Sequence, residues 1–146
     1  MSPGDQAIPE RATLYWFAIW RAAVTTATFA LPLGLFQQWL IGSERISKSD
    51  PSNYLIYFGI LFCGALGGYA AAKLAPDSWQ QNGAAAAALA YFAIQVAGAI
   101  RQIIVGEDIS SPLGWIFLAL LMATCGMLGA RVHRAMTPRQ PGADRP

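Results

Sequence analysis

YLIYFGILFCGALGGYAAAKLA, residues Tyr54–Ala75, is the stretch that decides the fold. It is apolar over about twenty residues, the length an α-helix needs to cross the hydrocarbon core of a bilayer. Gly64, Gly68 and Ala72 recur every fourth residue, and Cys63, Gly67 and Ala71 run beside them. Such rows leave one side of a helix almost bare of side chains, so that other helices can approach its backbone. The residues Gly64, Gly67, Gly68, Ala71 and Ala72 are therefore expected to form a helix-packing ridge. Two uses of that ridge stay open: sealing the helices of one chain together, or joining this chain to another.

Three more apolar segments surround this one. The first runs from about residue 13 to 41, roughly 45 Å as a helix and longer than the bilayer core. Tyr15, Trp16 and Trp20 suit the headgroup layer at its start, and Gln37, Gln38 and Trp39 mark the opposite interface. Pro32 is expected to kink it. The central span covers 54–75 and is stopped by Pro76. PDSWQQNG, Pro76–Gly83, reads as a short turn that makes the second and third spans an antiparallel hairpin. The third span, 84–105, opens on five consecutive alanines, a face thin enough to lie against a glycine ridge. The fourth, 112–134, starts at Pro112, a residue suited to the first turn of a helix. It carries its own small-residue row of Ala119, Ala123, Gly126 and Ala130. Residues 1–12 and 135–146 read as a flexible N-terminal tail and a disordered C-terminal tail.

The expected fold is therefore all-α: an integral membrane four-helix bundle, antiparallel, in a single domain over 13–134. Composition agrees, with 55% hydrophobic and 12% charged residues in 146, about half the charged share of an ordinary soluble domain. The cations Arg11, Lys73, Arg131, Arg134, Arg139 and Arg145 gather at the termini and the turn after the second span. Arg45, Lys48 and Arg101 are offset by Glu44, Asp50, Glu107 and Asp108 on the other side. This bias places both termini in the cytoplasm. The localisation expected is multi-pass, in the bacterial inner membrane. A signal-peptide reading of the first segment lacks a small-x-small cleavage site, because Gln37-Gln38-Trp39-Leu40 stands there.

Chemistry is sparse. All eight acids, Asp5, Glu10, Glu44, Asp50, Asp77, Glu107, Asp108 and Asp144, fall in tails or connections. The intramembrane carboxylate usual in proton-coupled carriers is missing. The four-helix multidrug transporters need a glutamate in their first helix, and the fluoride channels a pore asparagine and a phenylalanine pair. Here no acid follows Glu10 in the first span, and Asn53 and Asn82 fall at helix ends, so neither resemblance holds. The single histidine, His133, offers no metal site and no paired haem ligation. It reads as a cation near a helix C-terminus. Cys63 and Cys125 read as small packing residues. No nucleophile has a base, no phosphate loop is present, and neither a cofactor nor a nucleic acid is implied.

The polar residues left at membrane depth are Arg21, Gln95, Arg101 and Gln102, the candidate polar path. Gln95 and Gln102 are seven apart and share a helix face with Tyr91 and Ala99. Such amides either bond neighbouring helices or line a path for a solute, while the arginines either reach for the surface or mark the ends of that path. Two functions follow. The reading the small-residue rows favour is a non-enzymatic protein working through helix contacts, as an accessory or assembly subunit of a membrane complex or with copies of itself. The alternative is a small channel or transporter for an anion or a neutral solute. A polar cavity reaching Gln95 would favour the second.

Overall fold

The computed structural model describes residues 14–47, 49–106 and 111–137. Residues 1–13, 48, 107–110 and 138–146, among them the expected N-terminal tail, most of the expected C-terminal one, Glu107 and Asp108, lie outside the described residues. Four helices follow one another: α1 (Trp16–Gly42), α2 (Ser52–Leu74), α3 (Trp79–Val105) and α4 (Pro112–Met136). Each contains a stretch long and apolar enough to cross a membrane, of which at most 33% is buried within the bundle. The remainder is surface that only lipid can cover without penalty, so this is a small four-span membrane protein.

Local chemistry sets the helix limits. The Asp50 carboxylate accepts the Ser52 N–H (2.8 Å) at the start of α2, which holds its carboxyl below the usual carboxylate range. Gly106 closes α3 at φ 77°, a left-handed conformation that glycine adopts without penalty, and Pro112 opens α4. α1 stays helical through Pro32, whose ring lies on the exposed face.

One expected boundary is corrected. Helix α3 begins at Trp79 rather than at residue 84, so five of the eight residues of the anticipated turn are helix. The cause is tertiary. The Asn82 side chain donates to the Ser78 carbonyl and accepts the Tyr15 N–H, each at 3.0 Å, and is fully buried. A residue type that favours turns is held in a helix by bonds to another part of the chain. Helix α4 also continues past residue 134, to Met136.

Helices α2 and α3 each pack against all the others, while α1 and α4 do not touch. The α2–α3 hairpin is thus the middle of the bundle, with α1 on one side and α4 on the other. The two small-residue rows of α2 divide the work. The Gly67 row faces α1: a Cβ on Gly67 would strike the Thr26 side chain and come within 3.1 Å of the Ala22 carbonyl. Ile19, Ala22, Ala71 and Ala86 form the buried cluster there. The Gly64 row faces α4: Gly64 meets the Met122 side chain, and Gly68 meets the Gly126 backbone. The register 64–122 and 68–126 makes α2 and α4 a parallel pair matched turn for turn.

One of the tight points joins three helices. Gly68 of α2, Gly83 of α3 and Gly126 of α4 meet backbone to backbone, and a Cβ on any of them would collide with a neighbour. Gly129 sits equally close to the Ala65 carbonyl. Met122 and Gly129 thus join Gly126 and Ala130 as the buried residues of α4, whereas Ala119 and Ala123 of the expected row are only half-buried. All these contacts lie in the half of the bundle that holds the α2–α3 turn, called here the hairpin end. The start of α1 is there, tied by Tyr15 to Asn82, and so is the end of α4, where the Arg134 guanidinium stands 5.2 Å over the Trp79 ring.

In lipid, helices gain nothing by hiding apolar surface from water, so close backbone contact has to supply the attraction. Gly126→Ala is therefore expected to cost about 1–3 kcal/mol through overpacking. Gly34→Ala, with nothing within 4 Å of the new methyl, should be neutral. Unfolding midpoints in mild detergent check this, and equal midpoints for the two variants would refute the packing argument.

Candidate functional site

Away from the hairpin end the bundle opens. A cavity of about 610 Å³ lies between the far halves of all four helices. Its floor is set by Ala30, Tyr91 and Met122, all buried, at the level where the glycine packing begins. Gly34 and Gly98 are part of its wall, and neither has an atom within 4 Å of where a Cβ would stand. The two glycines widen the space just as those at the hairpin end close it.

Three of the four candidate path residues line this cavity: Gln95, Arg101 and Gln102. Gln95 is half-buried, and its Nε2 donates to the Tyr91 hydroxyl at 2.7 Å. It lies ten residues from the far end of α3, about 15 Å down at 1.5 Å per residue. Gln102 is half-buried and Arg101 exposed, both near the mouth. Arg21 stands apart: it is exposed in the hairpin half of α1, its guanidinium 5.6 Å over the Phe17 ring. The ridge residues Gly64, Gly67, Gly68, Ala71 and Ala72 are all buried within the chain.

The structure adds Gln37, Gln38 and Tyr91, read from the sequence as interface markers or a flank, and Tyr57, which the sequence did not single out. Gln37 is buried, and its Nε2 donates to Asn53 Oδ1 at 3.1 Å. Asn53 in turn donates to the Ser47 carbonyl at 2.9 Å. A signal for Gln37 and Gln38 was present, since α1 and α3 run the same way and these amides sit at nearly the depth of Arg101 and Gln102.

Chemically the lining offers amide and phenol groups, one guanidinium and apolar walls. No carboxylate, thiol or imidazole lines the cavity among the described residues, nor do three or more His, Cys, Asp or Glu converge anywhere among them. Cys63 and Cys125 are free thiols, the first buried and the second half-buried. His133 packs edge-on against Tyr69 with ring centroids 4.7 Å apart, far from the cavity at the hairpin end.

No family model, curated protein or solved structure matches the chain.

A cavity lined by amides should hold water. In a background with Cys63 and Cys125 replaced by alanine, a cysteine at Gly98 is expected to react with a membrane-impermeant thiol reagent. Its rate should exceed that of a cysteine at Ala87 by about tenfold or more, because thiols buried in apolar surroundings are inert. Equal rates would mean that the space is dry.

Proposed function

We propose that this four-span membrane protein takes a small solute, an anion or a neutral polar molecule, into the cavity and carries it as a small transporter. The observation that supports this reading is the cavity itself, which extends about halfway through the bundle and brings Gln95, Arg101 and Gln102 to one space. Its volume falls within the range of small-molecule sites, and its lining follows their pattern of apolar walls with a few convergent polar groups. The amides and phenols of that lining can donate hydrogen bonds to a neutral or anionic polar solute, and no carboxylate stands among its described residues to draw a cation.

A permanently open channel fits poorly. Below Tyr91 the path ends at the contacts of Gly64 with Met122 and Gly68 with Gly126, where backbones and a thioether side chain leave no lining for water. Passage requires the hairpin half to separate, which is carrier behaviour. The cation bias supports a cytoplasmic side for that half: Arg21, Lys73, Arg131 and Arg134 stand there with Asp77, against Arg45 and Arg101 with Glu44 and Asp50 at the far end. The cavity then opens outward.

The role of accessory subunit, or of a unit assembled with copies of itself, draws less support. The glycine ridge that motivated it is spent inside the chain, so a protein partner would have to bind the lipid-facing surface. A catalytic role draws none from the lining, which offers no nucleophile with a base.

Purified protein in liposomes, presented with chloride, phosphate, acetate, glycerol and urea, tests the proposal. Flux of at least one solute is expected. Gln95→Leu should slow it about tenfold, the cost of one lost polar contact in the path. Gly98→Trp, which fills the cavity, should abolish it. Flux unchanged by Gly98→Trp, or no flux with any solute, would overturn the reading.

A further inference from the structure

The lining divides by helix. Its amides all come from α1 and α3: Gln37 and Gln38 from the first, Gln95 and Gln102 from the second. The walls from α2 and α4 are Ile60, Leu61, Leu118, Leu121 and Met122, with Tyr57 the one polar residue on that side among the described residues. The polar groups set deepest are the bonded pair Tyr91 and Gln95. The Tyr91 hydroxyl accepts from Gln95 Nε2, which leaves its O–H to donate and Gln95 Oε1 to accept. Neither residue has a second partner among the described residues. Tyr91 is only 7% exposed and lines the cavity, so the cavity is where its donor can be met. At this depth an unmet donor and an unmet acceptor are costly.

A donor beside an acceptor is the complement of a primary carboxamide, whose C=O takes one hydrogen bond while its N–H gives another. We infer that the cavity's ligand is a neutral carboxamide with an apolar body. Its C=O accepts the Tyr91 O–H, its N–H donates to Gln95 Oε1, and its body lies against the walls of α2 and α4. The inference rests on the reading of the cavity as a solute site and narrows the solute class within it. A carboxylate has no proton to give Gln95 Oε1. It would also hold a charge at membrane depth, where Arg101 is six residues further along α3, about 9 Å, and is already engaged. A hydroxyl puts donor and acceptor on one atom, whereas the two groups here belong to side chains one turn apart.

The test is displacement of tritiated benzamide from the full chain in phosphatidylcholine nanodiscs, with empty nanodiscs as the blank. Unlabelled benzamide should displace it. Benzoate, benzyl alcohol and N,N-dimethylbenzamide keep the ring and should each need about tenfold more, the effect of one lost hydrogen bond. Acetamide, which lacks the ring, should need about thirtyfold more. Gln95→Leu should weaken benzamide about tenfold and leave N,N-dimethylbenzamide unchanged, because only the first has an N–H for Oε1. A merely structural loss would weaken both alike. Benzoate equal to benzamide, or the two amides equal in the wild type, would overturn the inference. So would benzamide binding unchanged in both Gly98→Trp and Leu118→Trp, each shown to be folded by its thermal midpoint. Flux in liposomes judges the transporter reading separately: transport of acetate or phosphate with no binding of benzamide would sink the carboxamide alone.

Discussion

The contact on which the rest of this structure depends is the meeting of Gly68, Gly83 and Gly126. Three helices come together at one level with no side chain between them, and the approach is closest where a Cβ on Gly68 would enter the Gly126 backbone. A membrane bundle has no other strong source of cohesion, since lipid chains solvate leucine as well as another leucine does. Close approach supplies many weak dispersion contacts at once, and each added methyl removes more than it contributes. Because the three glycines sit toward one end of the bundle, the helices are pinned there and need not meet at the other end. The cavity is a consequence of where the glycines are.

Helix α1 is held differently. It touches α2 through Gly67 and Thr26, but its two ends are fastened by buried asparagines from other helices. Asn82 of α3 takes the Tyr15 N–H, a donor that no helical turn satisfies, and Asn53 of α2 takes the Gln37 amide. Such bonds are worth about 0.6–2 kcal/mol each in a membrane. Their larger effect is on position, because they fix α1 lengthwise against the hairpin and so set Gln37 and Gln38 level with Arg101 and Gln102. The rim of the cavity thus depends on two residues that do not themselves line it.

Much of this was legible in the sequence, and the remainder was hidden for identifiable reasons. The four spans and the ridge on α2 follow from apolar length and four-residue spacing, which report directly on a helix in lipid. Gln95 and Gln102 were visible as a stripe because amides at membrane depth are rare. The start of α3 was not, because Asn82 and Gly83 look like turn residues until their partners on α1 and α4 are known. On α4 the row through Ala119 and Ala123 was only partly followed: composition shows that small residues are present, and only the register with α2 shows that Met122 and Gly129 face inward. Arg21 was grouped with the other path residues by its charge alone, and its side chain turns outward over Phe17 instead.

The division into a packed half and an open half also bears on how a carrier of this design would work. An intramembrane carboxylate lets many transporters couple motion to a proton, and no acid is found within α1–α4. For the function proposed here, the driving event must then be the ligand itself, through a difference in its affinity for the two arrangements of the bundle. The geometry suggests where that difference acts. Met122 belongs to both halves: its side chain seals Gly64 on one side and forms the cavity floor on the other. A ligand that displaces this flexible thioether disturbs the α2–α4 contact one turn above the three glycines, and the cavity and the seal are coupled through a single side chain.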